Sequence, residues 1–214
     1  MEQIAEYLSQ KVTTASPRFS IQMPETVYDD LLQCYSLFVR ASEREMQLTA
    51  DTKKVLQSAV NWLKAGKRGL LLYGNCGTGK SKLMQALFHL LAYYYNRAEI
   101  AKRIYKASVI AKGEHEGSVE KIYRCLSDEK FDTWRYLGID DLGTEPVIVK
   151  KWGTETSPII DILCERYDAM KVTVLSTNLN MENIREAYGE RIFDRICEMY
   201  DRISFNFQSF RQKQ

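Results

Sequence analysis

Eight consecutive residues, Gly74-Asn75-Cys76-Gly77-Thr78-Gly79-Lys80-Ser81, have the types and spacing of a phosphate cradle. They fit G-x-x-x-x-G-K-[ST], a loop whose glycines let the backbone turn successive N–H groups onto phosphate oxygens. In that pattern Lys80 reaches the β- and γ-phosphates, and the Ser81 hydroxyl is a ligand for Mg²⁺. A helix that opens here, with Lys82 in its first turn, aims its positive end at the same anion. The chemistry implied is binding of ATP with Mg²⁺.

Three further places supply polar groups for that chemistry. Asp140 and Asp141 end an apolar stretch, and a phosphate-loop NTPase needs one strand-end Asp for the metal and a polar group to orient the attacking water. Asp140 suits the first role and Asp141 the second, with Glu145 as a weaker candidate. Asn178 ends another apolar stretch and is placed to hydrogen-bond the attacking water. Arg191 and Arg195 lie four apart, on one exposed helix face in this reading, with Ile192, Ile196 and Met199 on the buried side.

The elements that must position these groups are legible as alternating patterns. Arg68 to Tyr73 reads as a buried strand, followed by Leu83, Met84, Leu87, Leu90 and Leu91 at helical spacing. Upstream, residues 1–11 read as a short helix, 12–26 as linker and 27–47 as helix. Asp51 then caps a helix that Gly66 ends. Downstream, Arg103 to Ala107 is a weak strand, 116–128 a helix, and Trp134 to Ile139 a strand ending at the two aspartates. Pro158 opens a helix behind Ser157, Lys171 to Ser176 is a strand, a single helix spans about 181–199, and Arg202 to Phe207 is the last strand. Strands alternating with helices predict a five-stranded parallel sheet covered on both faces. The expected organisation is a helical N-terminal segment, residues 1–45, ahead of a nucleotide domain, residues 46–214.

Composition narrows the class. The 214 residues are 45% hydrophobic and 27% charged, as in an ordinary globular protein. A net charge of +2 does not advertise nucleic-acid binding, though it leaves room for a local basic strip. The five cysteines include no C-x-x-C, and the two histidines are isolated, so reduced thiols in a cytoplasm and no zinc site are expected. No apolar run is long enough to span a membrane, and the N-terminus lacks a signal peptide's basic start.

Five segments in this order carry a family resemblance: the loop Gly74–Ser81, Tyr136 to Gly143, Leu175-Ser176-Thr177-Asn178, Gly189 to Arg195, and Gln208 to Arg211. Across about residues 50–211 they resemble the AAA+ domain of bacterial helicase loaders of the DnaC/DnaI type and their relative, the IstB transposition helper. The resemblance implies a three-layer αβα P-loop fold with no C-terminal helical lid. It assigns Asn178 to sensor 1, Arg195 to an arginine finger acting in trans on a neighbouring subunit, and Arg211 to the sensor 2 arginine. It also implies a nucleotide-dependent homo-oligomer, single-stranded DNA and a hexameric replicative helicase as partners. Asp141 stands where many relatives carry Glu, and the shorter side chain points to slow hydrolysis.

One stretch suggests the DNA contact. Lys150, Lys151 and Trp152 put two cations beside an aromatic ring, the combination with which single-strand binders hold phosphates and stack bases. The clusters Lys102/Arg103/Lys106 and Tyr93-Tyr94-Tyr95 read as a solvated face and a half-buried helix end. Three readings compete with helicase loading: a transposition helper that binds target DNA, a small phosphate-loop kinase, and a nucleotide-bound adaptor that hydrolyses little. A kinase has no obvious use for Asn178 or the arginine helix, and shows an Arg-rich lid that is not visible here.

Overall fold

The computed structural model describes residues 23–43, 46–65, 69–112, 135–151, 154–207 and 209–210. The helices expected over 1–11 and 116–128, the Gly66 stop, Trp152 and Arg211 lie outside the described residues.

The first strand forms where sequence pattern and burial agree. β1 (Gly69–Gly74) buries Leu70, Leu71 and Leu72 completely. Alternation sends Leu70 and Leu72 to one face of the sheet and Leu71 to the other. β2 (Ile104–Lys106), β3 (Tyr136–Leu142), β6 (Val172–Thr177) and β7 (Tyr200–Phe205) join it in the order β2-β3-β6-β1-β7. Every pairing is parallel. All five strands therefore present their C-terminal ends at one edge, and β1 lies between β6 and β7.

Helices cover both faces. Helices α1 (Val27–Arg40), α2 (Ala50–Ala65) and α3 (Lys80–Tyr94) bury Val27, Leu31, Leu56, Leu63, Leu83 and Leu87 against Leu70, Leu72, Val174 and Phe205. On the other face, α4 (Ala107–Lys112), α5 (Pro158–Asp168), α6 (Met181–Tyr188) and α7 (Glu190–Met199) bury Ile110, Ile162, Ile184 and Ile196 against Leu71, Leu137, Ile139 and Leu175. This is a three-layer αβα sandwich. Helix α1 precedes the boundary expected at residue 45, yet its buried face belongs to the same core cluster as β1. Among the described residues no helix is long and apolar enough to cross a membrane.

Three local expectations need correction, and one element is added. Helix α1 stops at Arg40 rather than continuing to 47. Helix α2 is capped by Thr49, whose Oγ1 accepts the Thr52 N–H at 3.2 Å, and Asp51 sits inside the first turn. The single helix expected over 181–199 is two, because Gly189 adopts φ 82° and ψ 165° between α6 and α7. A continuous helix cannot pass through that conformation. The stretch between Asp141 and Pro158, to which the sequence pattern assigns no secondary structure, contains an antiparallel hairpin of β4 (Val149–Lys151) and β5 (Thr154–Thr156).

Candidate nucleotide site

Residues 74–81 connect the end of β1 to the start of α3. Gly74, Gly77 and Gly79 take φ values of 123°, 78° and 99°, a region that residues with a Cβ largely avoid. Thr78 fastens the loop from within, its hydroxyl donating to the Asn75 carbonyl at 2.8 Å. From the β7 side the loop is tied twice: the Asn75 N–H donates to the Phe205 carbonyl at 3.0 Å, and the Phe210 N–H to the Gly77 carbonyl at 3.0 Å. The α3 N-cap is Gly79, which has no side chain to cap the helix. The first-turn amides of a 15-residue helix are thus available to an anion, in the setting that favours one most. This backbone fits a polyphosphate.

Lys80 is 7% exposed and its Nζ is held across the loop. It donates to the carbonyls of Gly74 at 2.8 Å and Asn75 at 2.6 Å, and to Asn178 Oδ1 at 2.8 Å. The last contact joins two residues 98 positions apart, and sheet order explains it. Asn178 follows β6, the strand directly beside β1. Thr177 sets its position: the Thr177 hydroxyl donates to the Leu142 carbonyl at 2.6 Å and accepts the Leu179 N–H at 3.0 Å.

One strand further out, β3 delivers the acidic pair. Its register with β6 breaks between Ile139 and Leu142, and Asp141 sits in the left-handed region at φ 59°. Such a bulge re-aims side chains at a strand end. Ser176 of β6 fills the break: its hydroxyl donates to Asp140 Oδ1 and accepts the Asp141 N–H at 3.0 Å. Asp140 is 8% exposed, so its carboxylate is fixed at the sheet edge. Ser176 is the residue that sequence reasoning missed. The available signal was a small hydroxyl two positions before Asn178, in a strand otherwise built of apolar and β-branched residues.

Glu145 is not free to act on water. It is 7% exposed; one carboxylate oxygen accepts the Gly143 N–H at 2.9 Å and the other accepts the Tyr188 hydroxyl. Burial and this bond push the Tyr188 phenol well above its ordinary pKa. Glu145 therefore anchors the turn after β3 to the end of α6. Lys82 and Ser81 lie half-buried in the first turn of α3, and the Lys82 ammonium donates to Gln85 of the same helix at 3.3 Å. Cys76 is exposed at the tip of the loop.

The arginine pair separates. Arg191 is exposed, whereas the Arg195 side chain is only 15% exposed. Its guanidinium lies 4.3 Å over the Tyr167 ring and 3.2 Å from Asp168 Oδ1. Asp168 ends α5 just before β6 begins, and α7 leads directly into Tyr200, the register partner of Gly69. Arg195 therefore belongs to the edge of the sheet where strands start. The loop lies where they end, about 17 Å away for a six-residue strand. The backbones of Lys150 and Lys151 pair with Glu155 and Thr154 in the β4–β5 hairpin.

No protein-family model matches the sequence, and no curated protein matches it either. Solved structures do. One described as the DnaC helicase loader is 21% identical, with a TM-score of 0.55 over 75% of this chain and 93% of that one. One described as DnaI is 20% identical, with a TM-score of 0.53 over 90% of this chain and 96% of that one. The replication initiator DnaA bound to AMPPCP and single-stranded DNA is 16% identical, with a TM-score of 0.51 over 76% of this chain and 49% of that one. Together with the sheet order, the phosphate loop and the strand-end acids, these likenesses establish that the chain has the AAA+ P-loop fold of the DnaC and DnaI structures.

Proposed function

We propose that the protein binds and hydrolyses ATP as an AAA+ assembly factor in DNA replication, where it loads or remodels a hexameric replicative helicase on single-stranded DNA. The observation that carries the enzymatic half is the convergence on one sheet edge of Lys80, Asn178 and the Ser176-held Asp140. The replication half rests on the fold shared with the DnaC and DnaI structures.

When bound, ATP supplies the phosphoryl group to be transferred and Mg²⁺ neutralises its charge. The amides of residues 74–81, with Lys82 in the first helical turn, hold the phosphates. Lys80 exchanges its carbonyl partners for phosphate oxygens, and Asn178, already its neighbour, is freed to orient water. Ser81 and Asp140 would hold the metal. Asp141 accepts the water's proton, and its short side chain keeps turnover slow. Arg195, set at the far edge of its own sheet, leaves the Tyr167 ring to serve the loop of an adjoining copy, and Arg211 completes the site from the C-terminal side. Residues 1–45, which helix α1 anchors to the core, carry the partner contact, and Lys150, Lys151 and Trp152 meet the DNA strand. The setting is cytoplasmic.

A loading assay tests this reading. Incubated with the host's replicative helicase, ATP and a single-stranded circle, the protein is expected to raise the amount of helicase retained on DNA, and Lys80→Ala to abolish the gain. Helicase retention that is identical with and without the protein would refute the loader assignment.

A further inference from the structure

Helix α1 brings a hydroxyl to the phosphate loop that the functions assigned above leave unused. Tyr35 is 0% exposed, buried in the core cluster beneath α3, and its phenolic oxygen has no hydrogen-bond partner among the described residues. Buried hydroxyls are ordinarily paired, because an unpaired one forfeits its hydration for nothing. This hydroxyl is not lost in the middle of the core. A Cβ built on Gly79 would meet the Tyr35 hydroxyl at 2.3 Å and the Phe210 ring at 2.8 Å. The oxygen thus abuts the residue that opens α3, directly before Lys80.

Sheet order says which end of a bound nucleotide faces this flank. Lys80 Nζ and Asn178 lie toward β6, and Asp140 one strand beyond. Those groups address the terminal phosphate. Phe205 and Phe210, which tie the loop from the opposite side, belong to β7 and the residues after it. A nucleotide whose terminal phosphate sits toward β6 directs its sugar and base toward β7.

We propose that the Tyr35 hydroxyl is a hydrogen-bond donor to the nucleoside half of the bound nucleotide, with the Phe210 ring beside it, so that helix α1 forms one wall of the site. The inference rests on the nucleotide reading above and extends it to a helix that the loop pattern does not include. Burial raises the phenol's pKa, so it keeps its proton throughout the neutral range.

Tyr35→Phe keeps the ring and removes only the hydroxyl. Its thermal midpoint without nucleotide is expected to equal or exceed that of the wild type, since an unpaired buried group is deleted. By calorimetry in Mg²⁺, its affinity for ATP is expected to fall about five- to tenfold, the worth of one hydrogen bond. Its affinity for inorganic tripolyphosphate should stay unchanged. An unaltered ATP affinity would overturn the proposal. So would equal losses for both ligands, which would put the hydroxyl on the phosphates, and so would a lowered midpoint, which would show the hydroxyl already satisfied. A wild-type protein that binds neither ligand would remove the nucleotide reading itself along with this extension of it.

Discussion

Ser176 shows how much of the site depends on one small side chain. Its hydroxyl both steadies Asp140 and closes the backbone gap at Asp141. Ser176→Ala is expected to leave the fold intact and ATP affinity within about twofold, while lowering the steady-state ATPase rate about tenfold, because a carboxylate that wanders positions the metal poorly. The check is a phosphate-release assay with saturating ATP. Arg166 has a different task. It is fully buried, donating to the Thr173 hydroxyl at 2.8 Å and to the carbonyls of Val172 at 2.6 Å and Arg135 at 2.9 Å. It staples the end of α5 to the starts of β3 and β6, and burial drives its pKa down to about 9. Arg166→Ala should cost about 3 kcal/mol of unfolding free energy, read from urea titration, because it opens a cavity and removes three buried hydrogen bonds. At this scale the phosphate loop was legible in the sequence, since its chemistry is local and its glycines are obligatory. Asp140 and Asn178 were legible as polar residues ending apolar runs. The Ser176 plug, the locked Glu145 and the buried Arg166 were not, because each owes its role to a neighbour on another strand or helix.

Single conformations decide the elements. Gly189 separates α6 from α7 at φ 82°, and a Cβ there would meet nothing within 4 Å. Gly189→Ala therefore isolates backbone strain from steric clash, and is expected to destabilise the protein by about 1–2 kcal/mol in a thermal or urea melt. A cost well above that would mean the helix break carries packing that the structure does not show. Sequence periodicity joined the two helices because both turn their apolar residues, Ile184 and Tyr188, then Ile192 and Ile196, to the same core. Helical spacing survives the break, and only the glycine betrays it. The β4–β5 hairpin was missed for the opposite reason: three-residue strands hold too little alternation to register. By contrast, β1, β3 and β6 are buried on both faces and announce themselves as apolar runs.

Across the whole molecule, tyrosines shielded from water set the alkaline limit. Tyr35, Tyr94 and Tyr188 are pushed above their ordinary pKa chiefly by burial, and Tyr200 is pushed up to about 12. The folded chain then keeps protons that the unfolded chain releases from about pH 10, so these groups stabilise fully below pH 10 and progressively less above it. Arg166 acts in the reverse sense above about pH 9, but it is one group against four. Stability is expected to decline from pH 10 to 12, with tyrosinate absorbance rising together with loss of helical circular dichroism. Tyrosinate absorbance rising fully while the helices persist would contradict this. Assembly belongs to the same scale. The fold places the loop and Arg195 at opposite edges of one sheet, so Arg195→Ala and Lys80→Ala proteins, each inactive alone, are expected to recover about a quarter of wild-type turnover when mixed in equal amounts, the statistical share of intact shared sites.

Every role assigned to these residues requires a nucleoside triphosphate seated in residues 74–81. Equilibrium titration with a fluorescent ATP analogue in Mg²⁺ addresses it most directly. One saturable site per chain is predicted, competed by unlabelled ATP and weakened at least about a hundredfold by Lys80→Ala, in keeping with loss of a charge-assisted contact to phosphate. Failure of the wild type to bind, or binding indifferent to Lys80, would contradict it.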